Sequence, residues 1–163
     1  IVVVGVGKSF IISLKVASTL SSLGSPAVGF SANDLQHGGL GFLSKDDILL
    51  IFSVSGESSE LNSILRYAKR FNLKVIGVSC KPSSMLLKHS TIKILLPKVN
   101  EAGFSLAPTA STTMFCCFGD ALGIALMKRK KFTNKKFVTI KLNIITPVNL
   151  IIFVNNSNEQ VKK

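Results

Sequence analysis

The chain has 163 residues, a net charge of +12 and 47% hydrophobic residues. A chain of this length can form one domain with a full hydrophobic core, without metals or disulfides. The composition is too apolar for a disordered chain, and polar residues or Gly interrupt each apolar stretch before it reaches the about 18 residues of a membrane span. We therefore expect one soluble globular domain with no membrane partner.

The positive charge is concentrated toward the C-terminus. Residues 1–127 hold 11 Lys and Arg against 7 Asp and Glu, whereas residues 128–163 hold 9 against 1. The basic run at 128–131 lacks the interleaved aromatic residues on which single-stranded nucleic acids stack. Because cations near a helix C-terminus are favoured by its dipole, we interpret the run as a solvated helix end and expect no nucleic-acid partner.

Cysteine usage and the N-terminus indicate a cytoplasmic protein. Cys80, Cys116 and Cys117 are an odd number without a C-x-x-C pair, so they predict neither a disulfide framework nor a metal site. Buried thiols in a reducing compartment fit them best, and no signal peptide is visible. The sequence opens without Met inside a predicted strand, and we expect it to be a fragment or an incomplete gene product.

Short β-branched runs alternate with helical segments, which is typical of a parallel sheet with crossover helices. The predicted elements in chain order are a strand at 1–4, a helix at 9–23, strands at 27–30 and 47–52, a helix at 61–71, strands at 74–78 and 91–96, and a helix at 108–130. The expected fold is an α/β three-layer sandwich with a five-stranded parallel sheet. From about residue 138 no helical period can be followed, and we expect no regular structure there.

Three loops follow strands of this sheet, where ligands of open parallel sheets bind. The first contains Gly7, Lys8 and Ser9 at the start of a helix, a place that suits an anion. It lacks the glycine spacing of a P-loop or a dinucleotide fingerprint. A tight turn with a solvated lysine explains it equally well.

The second loop, 53–60, contains Ser53, Ser55, Gly56 and Ser58 directly after the most apolar strand. Its hydroxyls and backbone N–H groups precede a helix, as a phosphate site requires. The alternative is an elaborate helix N-cap, for which one or two of these residues suffice. We favour a small phosphorylated metabolite as the ligand.

The third loop carries Thr109, Ser111 and Thr112 at the start of the longest predicted helix, with Glu101 just upstream. A carboxylate beside an anion site is a candidate general base if burial raises its pKa; a solvated Glu is the alternative. His37 lies between Gln36 and glycines, where ring-opening catalysis, substrate contact and simple surface exposure are all compatible with the sequence.

Together these segments resemble the sugar isomerase (SIS) domain, and within it the arabinose-5-phosphate isomerase family. The matching strings are GVGKS, HGGLG, SVSGESSE, LAPTASTT and GDALGIALM. The resemblance covers residues 2–137, so we expect an SIS domain of flavodoxin-like topology at 1–137 and a divergent tail at 138–163. A helical segment that precedes the first strand in the family, and its C-terminal CBS modules, have no counterpart in this sequence.

The resemblance implies interconversion of D-ribulose 5-phosphate and D-arabinose 5-phosphate, toward the Kdo sugar of lipopolysaccharide. It implies an enediol(ate) intermediate, no redox cofactor, no metal, and a homo-oligomer, a tetramer in the family. The implied catalytic positions are Lys8, His37, Glu60 and Glu101, with Glu101 as the base, Lys8 stabilising oxyanion charge and Glu60 orienting or sharing the proton. The implied phosphate-binding positions are Gly7, Ser9, Ser53, Ser55, Gly56, Ser58, Thr109, Ser111 and Thr112.

One departure from the family concerns catalysis. Where the family continues into a His-Pro-Gly-Gly segment with a catalytic His, this chain reads VTIKLN at 138–143 and has Lys141 at the corresponding place. A frameshift in an AT-rich gene is one origin for such a tail. We expect weakened isomerase activity, and the alternative is a non-catalytic SIS domain that binds a sugar phosphate as a sensor or remnant.

Overall fold

The fold is a three-layer α/β sandwich built on one parallel sheet, as the sequence predicts. The computed structural model describes residues 1–145. Its five strands lie in the order β2-β1-β3-β4-β5, all parallel. They are β1 (Val2–Gly5), β2 (Val28–Ser31), β3 (Ile48–Phe52), β4 (Lys74–Ser79) and β5 (Ile92–Leu95).

The helices are the crossovers that a parallel sheet requires. They are α1 (Lys8–Ser22), α2 (Ala32–Gln36), α3 (Leu61–Arg70), α4 (Met85–Lys88), α5 (Ala110–Arg129) and α6 (Asn134–Ile145). All eight elements predicted from the sequence are present, with ends within two residues of those predicted. The sequence prediction missed α2, which is short and begins where the Ser31 side chain accepts a hydrogen bond from the Asn33 N–H.

The core lies on both faces of the sheet because successive strand residues point to opposite sides. Along β3, Leu49 and Ile51 face α2, α3 and α4, whereas Leu50 and Phe52 face α1 and α5. All four are essentially inaccessible to solvent. This two-sided burial explains why β3 reads as a continuous apolar run, as expected of a central strand.

Close packing of α1 against α5 closes one face of the sheet. A side chain at Gly119 would place its Cβ 2.3 Å from Val16, so the glycine lets the two helices approach. Lys15 and Asp120 form an ion pair across the same contact.

Among the described helices, α5 alone is long and apolar enough to cross a membrane, with a mean hydropathy of 1.4. Mostly buried core helices share these properties, but only 22% of the apolar window of α5 is buried, and Phe115 packs against the sheet within it.

The structure differs from the sequence prediction at the start of the tail. Helix α6 continues to Ile145 and therefore crosses the boundary predicted at 137 and 138. Residues 138–145, for which we expected no regular structure, are helical because they extend a helix that begins at Asn134. The rest of the predicted tail, 146–163, lies outside the described residues.

Phe115 anchors α5 on the sheet, and its removal should destabilise the fold. Its ring lies 5.2 Å from that of Phe52, and the side chain is 0% exposed. We expect Phe115→Ala to lower the free energy of unfolding by about 3 to 5 kcal/mol, because it removes buried contacts and leaves a cavity. The matched control is Phe104→Ala, since Phe104 is 97% exposed; its effect should stay within about 0.5 kcal/mol. Similar losses in urea unfolding of both variants would contradict this packing.

Candidate active site

The order of the strands places the first two predicted loops side by side. Strand order reverses between β1 and β3, where open α/β sheets bind ligands beyond the carboxyl ends of the strands. The last residue of β1, Gly5, pairs with the last residue of β3, Phe52. The loop that leads into α1 and the serine-rich loop after β3 therefore start as neighbours. Gly7 caps α1, and Lys8 and Ser9 form its first turn, with Lys8 exposed.

The serine-rich loop is a tight turn held by its own hydroxyls. The buried Ser53 Oγ accepts a hydrogen bond from the Gly56 N–H at 3.0 Å, and the exposed Ser55 Oγ accepts from the Glu57 N–H at 3.3 Å. A serine hydroxyl that accepts a bond still carries its own O–H as a donor. The turn thus fixes Ser53 and Ser55 while leaving each able to donate to an anion. Ser58 lies further along the loop and is partly exposed.

Residues at the end of β4 and just after it brace this loop, and the sequence analysis missed them. The fully buried Ser79 donates from Oγ to the Val54 carbonyl at 3.0 Å, and Lys81 forms an ion pair with Glu57 at 2.9 Å. Gly56 adopts a φ of +64°, and a Cβ there would lie 2.5 Å from that of Ser84. The signal was available, because Ser79 and Lys81 also lie where a strand of the sheet ends.

A hydrogen bond joins the segment containing His37 to the start of α3. Gln36 donates from Nε2 to the carbonyl oxygen of Glu60, the residue that precedes α3. Glu60 Oε2 accepts a hydrogen bond from Ser59 Oγ at 3.2 Å. His37 is exposed and ends α2, with its N–H donating to the Asn33 carbonyl. The structure therefore puts His37 and Glu60 on segments that contact each other.

Glu101 forms the N-terminal cap of α5. Its Oε2 accepts hydrogen bonds from the Thr109 N–H at 2.6 Å, the Thr109 hydroxyl at 3.1 Å and the Ser111 N–H at 3.3 Å. Thr112 donates its hydroxyl to the Thr109 carbonyl at 2.7 Å, within the same turn. The pKa of Glu101 is lowered to about 2, chiefly by the adjacent Ser111 hydroxyl and then by the Thr109 N–H. The expected rise of this pKa through burial is therefore wrong for the structure as it stands, because hydrogen bonds to the ionised form outweigh desolvation.

The cap on α5 lies at the same edge of the sheet as the other two loops. One turn beyond Ser111, Phe115 packs on Phe52, which immediately precedes Ser53. Burial raises the pKa of the Cys80 thiol at the end of β4, and the negative charge of Glu101 raises it further. Both observations bring the third loop to the carboxyl edge of β3 and β4. All three loops that the sequence singles out thus face one region.

A cavity and the second histidine, His89, lie away from the three loops. A cavity of about 370 Å³ is lined by Leu73, His89 and Thr91 near the amino ends of β4 and β5, the edge opposite the three loops. His89 Nδ1 lies 2.9 Å from the Met85 carbonyl at the end of α4. Within residues 1–145 no three His, Cys, Asp or Glu side chains are close enough together to hold a metal ion.

Capping by Glu101 should make stability depend on pH in a defined window. The folded chain holds the pKa of Glu101 at about 2, below the ordinary value of 4.5. A carboxyl group whose pKa is lower in the folded state stabilises the fold above its unfolded pKa, and this contribution disappears as pH falls through the folded pKa. We expect the wild-type chain to be more stable than Glu101→Gln at pH 6, with the difference shrinking as pH falls from 4.5 toward 2. Urea unfolding at several pH values measures this, and a difference that does not vary with pH would contradict the cap.

Comparison with known proteins identifies the domain. The sequence matches the SIS domain family over residues 1–125. It is 37% identical over 157 residues to arabinose 5-phosphate isomerase KdsD of Francisella tularensis, covering 96% of this chain and 48% of that protein. It is 38% identical over 138 residues to KdsD of Pseudomonas aeruginosa, covering 84% of this chain and 42% of that protein. The chain thus spans about half the length of the curated relatives it matches.

A solved structure supports the same assignment. The c3406 protein of E. coli CFT073, in complex with arabinose 5-phosphate, is 35% identical and superimposes with a TM-score of 0.83 over 86% of this chain and 75% of that one. We limited the resemblance to the first 137 residues. The match to the Francisella protein covers 157 residues, so the similarity to that protein continues into the predicted tail. The chain belongs to the SIS domain family, and its sequence and fold are similar to those of arabinose 5-phosphate isomerases.

Proposed function

We propose that this domain interconverts D-ribulose 5-phosphate and D-arabinose 5-phosphate as an aldose–ketose isomerase. The observation that carries the proposal is that the loops containing Lys8, Glu60 and Glu101 all lie at the carboxyl edge of the sheet and carry hydroxyl and N–H donors. The relatives named arabinose 5-phosphate isomerase, and the related structure that holds arabinose 5-phosphate, support the choice of substrate. We further propose that the product is used for Kdo synthesis, as the resemblance implies.

The phosphate would provide most of the binding energy. A phosphate monoester accepts several hydrogen bonds, and the helix N-terminus at Gly7 together with the hydroxyls of Ser53, Ser55 and Ser58 offers donors from two directions. Thr109 and Ser111 would add N–H donors from α5. The sugar carbons would then lie between the loops, beside the carboxylates.

The reaction needs one proton moved between neighbouring carbons. A base takes the proton from C2 of the aldose, and the electron pair forms an enediolate with its negative charge on the C1 oxygen. The proton of the C2 hydroxyl passes to the C1 oxygen, C2 becomes the carbonyl, and the base returns its proton to C1. Lys8 would stabilise the developing oxyanion, and His37 would assist ring opening. Glu101 can accept the proton only after it leaves the α5 cap, because its pKa of about 2 makes it a poor base where it stands. Glu60 would orient or share the proton.

The proposal also includes the oligomeric state of the protein and its location in the cell. We propose a cytoplasmic homo-oligomer, a tetramer by resemblance to the family. Its support in the structure is exposed apolar surface just before α5 and within it, where Leu106 is 86% and Ile124 is 42% exposed. Exposed apolar residues of this kind are common at protein–protein contacts.

A second candidate function is sugar-phosphate binding without catalysis. The observation in its favour is Lys141, which replaces the catalytic histidine that the resemblance places there; its side chain lies outside the described residues. A lysine with the ordinary pKa of about 10.4 remains protonated at neutral pH and does not exchange a proton as an imidazole does. Lysine at position 141 would not affect the three loops that are predicted to bind phosphate.

Binding of a sugar should depend on its phosphate group. We expect D-arabinose 5-phosphate to raise the melting temperature of the chain and D-arabinose to leave it unchanged, because the donors of the three loops recognise the anion. A ligand that binds only the folded state stabilises it by about 2.7 kcal/mol at a concentration of 100 Kd. Differential scanning fluorimetry with both sugars measures this, and equal shifts would show that the serine-rich loop is only a helix cap.

Activity should depend on the segment after residue 137. We expect the chain to isomerise ribulose 5-phosphate about 10² to 10⁴ times more slowly than a variant whose sequence from Val138 onward is replaced by a family-like tail containing His-Pro-Gly-Gly, since one positioned acid/base group typically contributes that factor. The control is the same replacement with Ala in place of the histidine, which should not restore the rate. Turnover of the unaltered chain at an ordinary enzyme rate of about 1 to 10³ s⁻¹ would show that the histidine is not needed.

A further inference from the structure

An internal anion already occupies the start of α5. The carboxylate of Glu101 takes up the N–H groups of Thr109 and Ser111 and the Thr109 hydroxyl, all through one oxygen, Oε2. These are the donors that a helix N-terminus offers to a phosphate. Thr109 is held in turn, because its hydroxyl accepts a hydrogen bond from the Ala102 N–H at 2.9 Å. The donors at the start of α5 are thus held in position, and the Glu101 carboxylate occupies them.

A second observation shows that the carboxylate fills this site incompletely. Ser111 Oγ is buried, with the residue 1% exposed, and of the buried side-chain polar atoms in the described part of the chain it is the one that lacks a hydrogen-bond partner of acceptable geometry. It lies beside the Glu101 carboxylate, whose pKa it lowers. A buried hydroxyl without a partner is costly and rare in folded proteins. The Ser111 hydroxyl thus lies close enough to stabilise the carboxylate but makes no well-formed hydrogen bond to it, and a ligand with more oxygen atoms can accept that bond.

We propose that the Glu101 carboxylate is a built-in competitor of the substrate's phosphate at the start of α5, and that phosphate binding displaces it toward the sugar. This inference rests on the proposed function, because it takes the three loops to be a phosphate site. A phosphate monoester carries about −1.5 to −2 charges at neutral pH, against −1 for the carboxylate, and its additional oxygens can accept from Ser111 Oγ. Each of these differences favours the phosphate at a helix N-terminus.

Displacement couples recognition to chemistry. While Glu101 caps α5, the Ser111 hydroxyl and three hydrogen bonds to Oε2 hold it in its ionised form, and it has little tendency to take a proton. Once it is expelled, it loses those donors and becomes a stronger base at the moment when a phosphorylated sugar is bound. An unphosphorylated sugar leaves the cap in place. Glu101 thereby makes the basicity of the site depend on the phosphate, which is remote from the reacting carbons.

The affinity of inorganic phosphate for variants of the full chain tests this proposal at pH 7. In Glu101→Gln the competitor is neutral, and neutral hydrogen bonds are about half as strong as those to a charged group, so the cap persists but opens more readily. An apparent Kd is raised by the inverse of the fraction of molecules whose site is open. If the cap is closed in nine of ten wild-type molecules, Glu101→Gln should therefore tighten phosphate binding by up to about tenfold, the limit reached when the cap is fully open. Isothermal titration calorimetry measures the change.

The control is Glu57→Gln, which removes one negative charge from the same edge of the sheet. Glu57 pairs with Lys81 and is not part of the α5 cap. Because it is a surface charge, its loss should tighten phosphate binding by no more than about twofold. A Glu101→Gln variant that binds phosphate no more tightly than Glu57→Gln overturns the inference, because the carboxylate would then help to build the site rather than block it.

A measurement on the wild-type chain covers the case in which Glu101→Gln does not fold. The side-chain carboxyl ¹³C resonance of Glu101 and the amide resonances of Thr109 and Ser111 should move together as phosphate is added, with the Kd found by calorimetry. A Glu101 resonance that stays fixed while phosphate binds overturns the inference and leaves the proposed function intact. A chain that binds neither phosphate nor D-arabinose 5-phosphate overturns both.

Discussion

The reversal of strand order between β1 and β3 is the constraint on which the candidate site depends. The chain leaves β1 in one direction to form β2 and returns to the other side of β1 to form β3. Because such crossovers are right-handed, α1 and α3 lie on opposite faces of the sheet, as the two separate core clusters show. The loops before these helices therefore diverge from adjacent strand ends, which is where open α/β sheets bind ligands. A sheet in sequence order would not bring these two loops together in this way.

For the proposed function, the site would have to attract an anion while it holds carboxylates that move a proton. The overall charge of +12 contributes little there, because most of the excess lies after residue 127 and Lys8 is accompanied by Glu57, Glu60 and Glu101. Attraction therefore depends on N–H and hydroxyl dipoles that the turns fix, as at Ser53 and Gly56. Under the displacement proposed above, Glu101 holds the donors at the start of α5 until the phosphate takes its place, so the same donors serve the two anions in succession.

The positions of strands, helices and loops were predictable from the sequence because they follow from local patterns. Runs such as that in β3 mark buried strands, and residues after them lie at one edge of a parallel sheet. The bracing of Gly56 by Ser79 and Ser84 was not predictable, since it joins residues from different loops. Nor was the state of Glu101, because its pKa depends on hydrogen bonds to Thr109 and Ser111 that only the folded chain brings together. The helix over 138–145 was missed because its sequence lacks a clear amphipathic period.

The most direct test of this account is the position of the phosphorus atom in a crystal structure of the chain with D-arabinose 5-phosphate. The account predicts that it lies between the serine-rich loop and the start of α5, with the phosphate oxygens accepting hydrogen bonds from Ser53, Ser55 and Thr109. It also predicts that the Glu101 carboxylate is turned away from Thr109 and toward the sugar. A phosphate bound at the opposite edge, in the cavity beside His89, would contradict the assignment of the site.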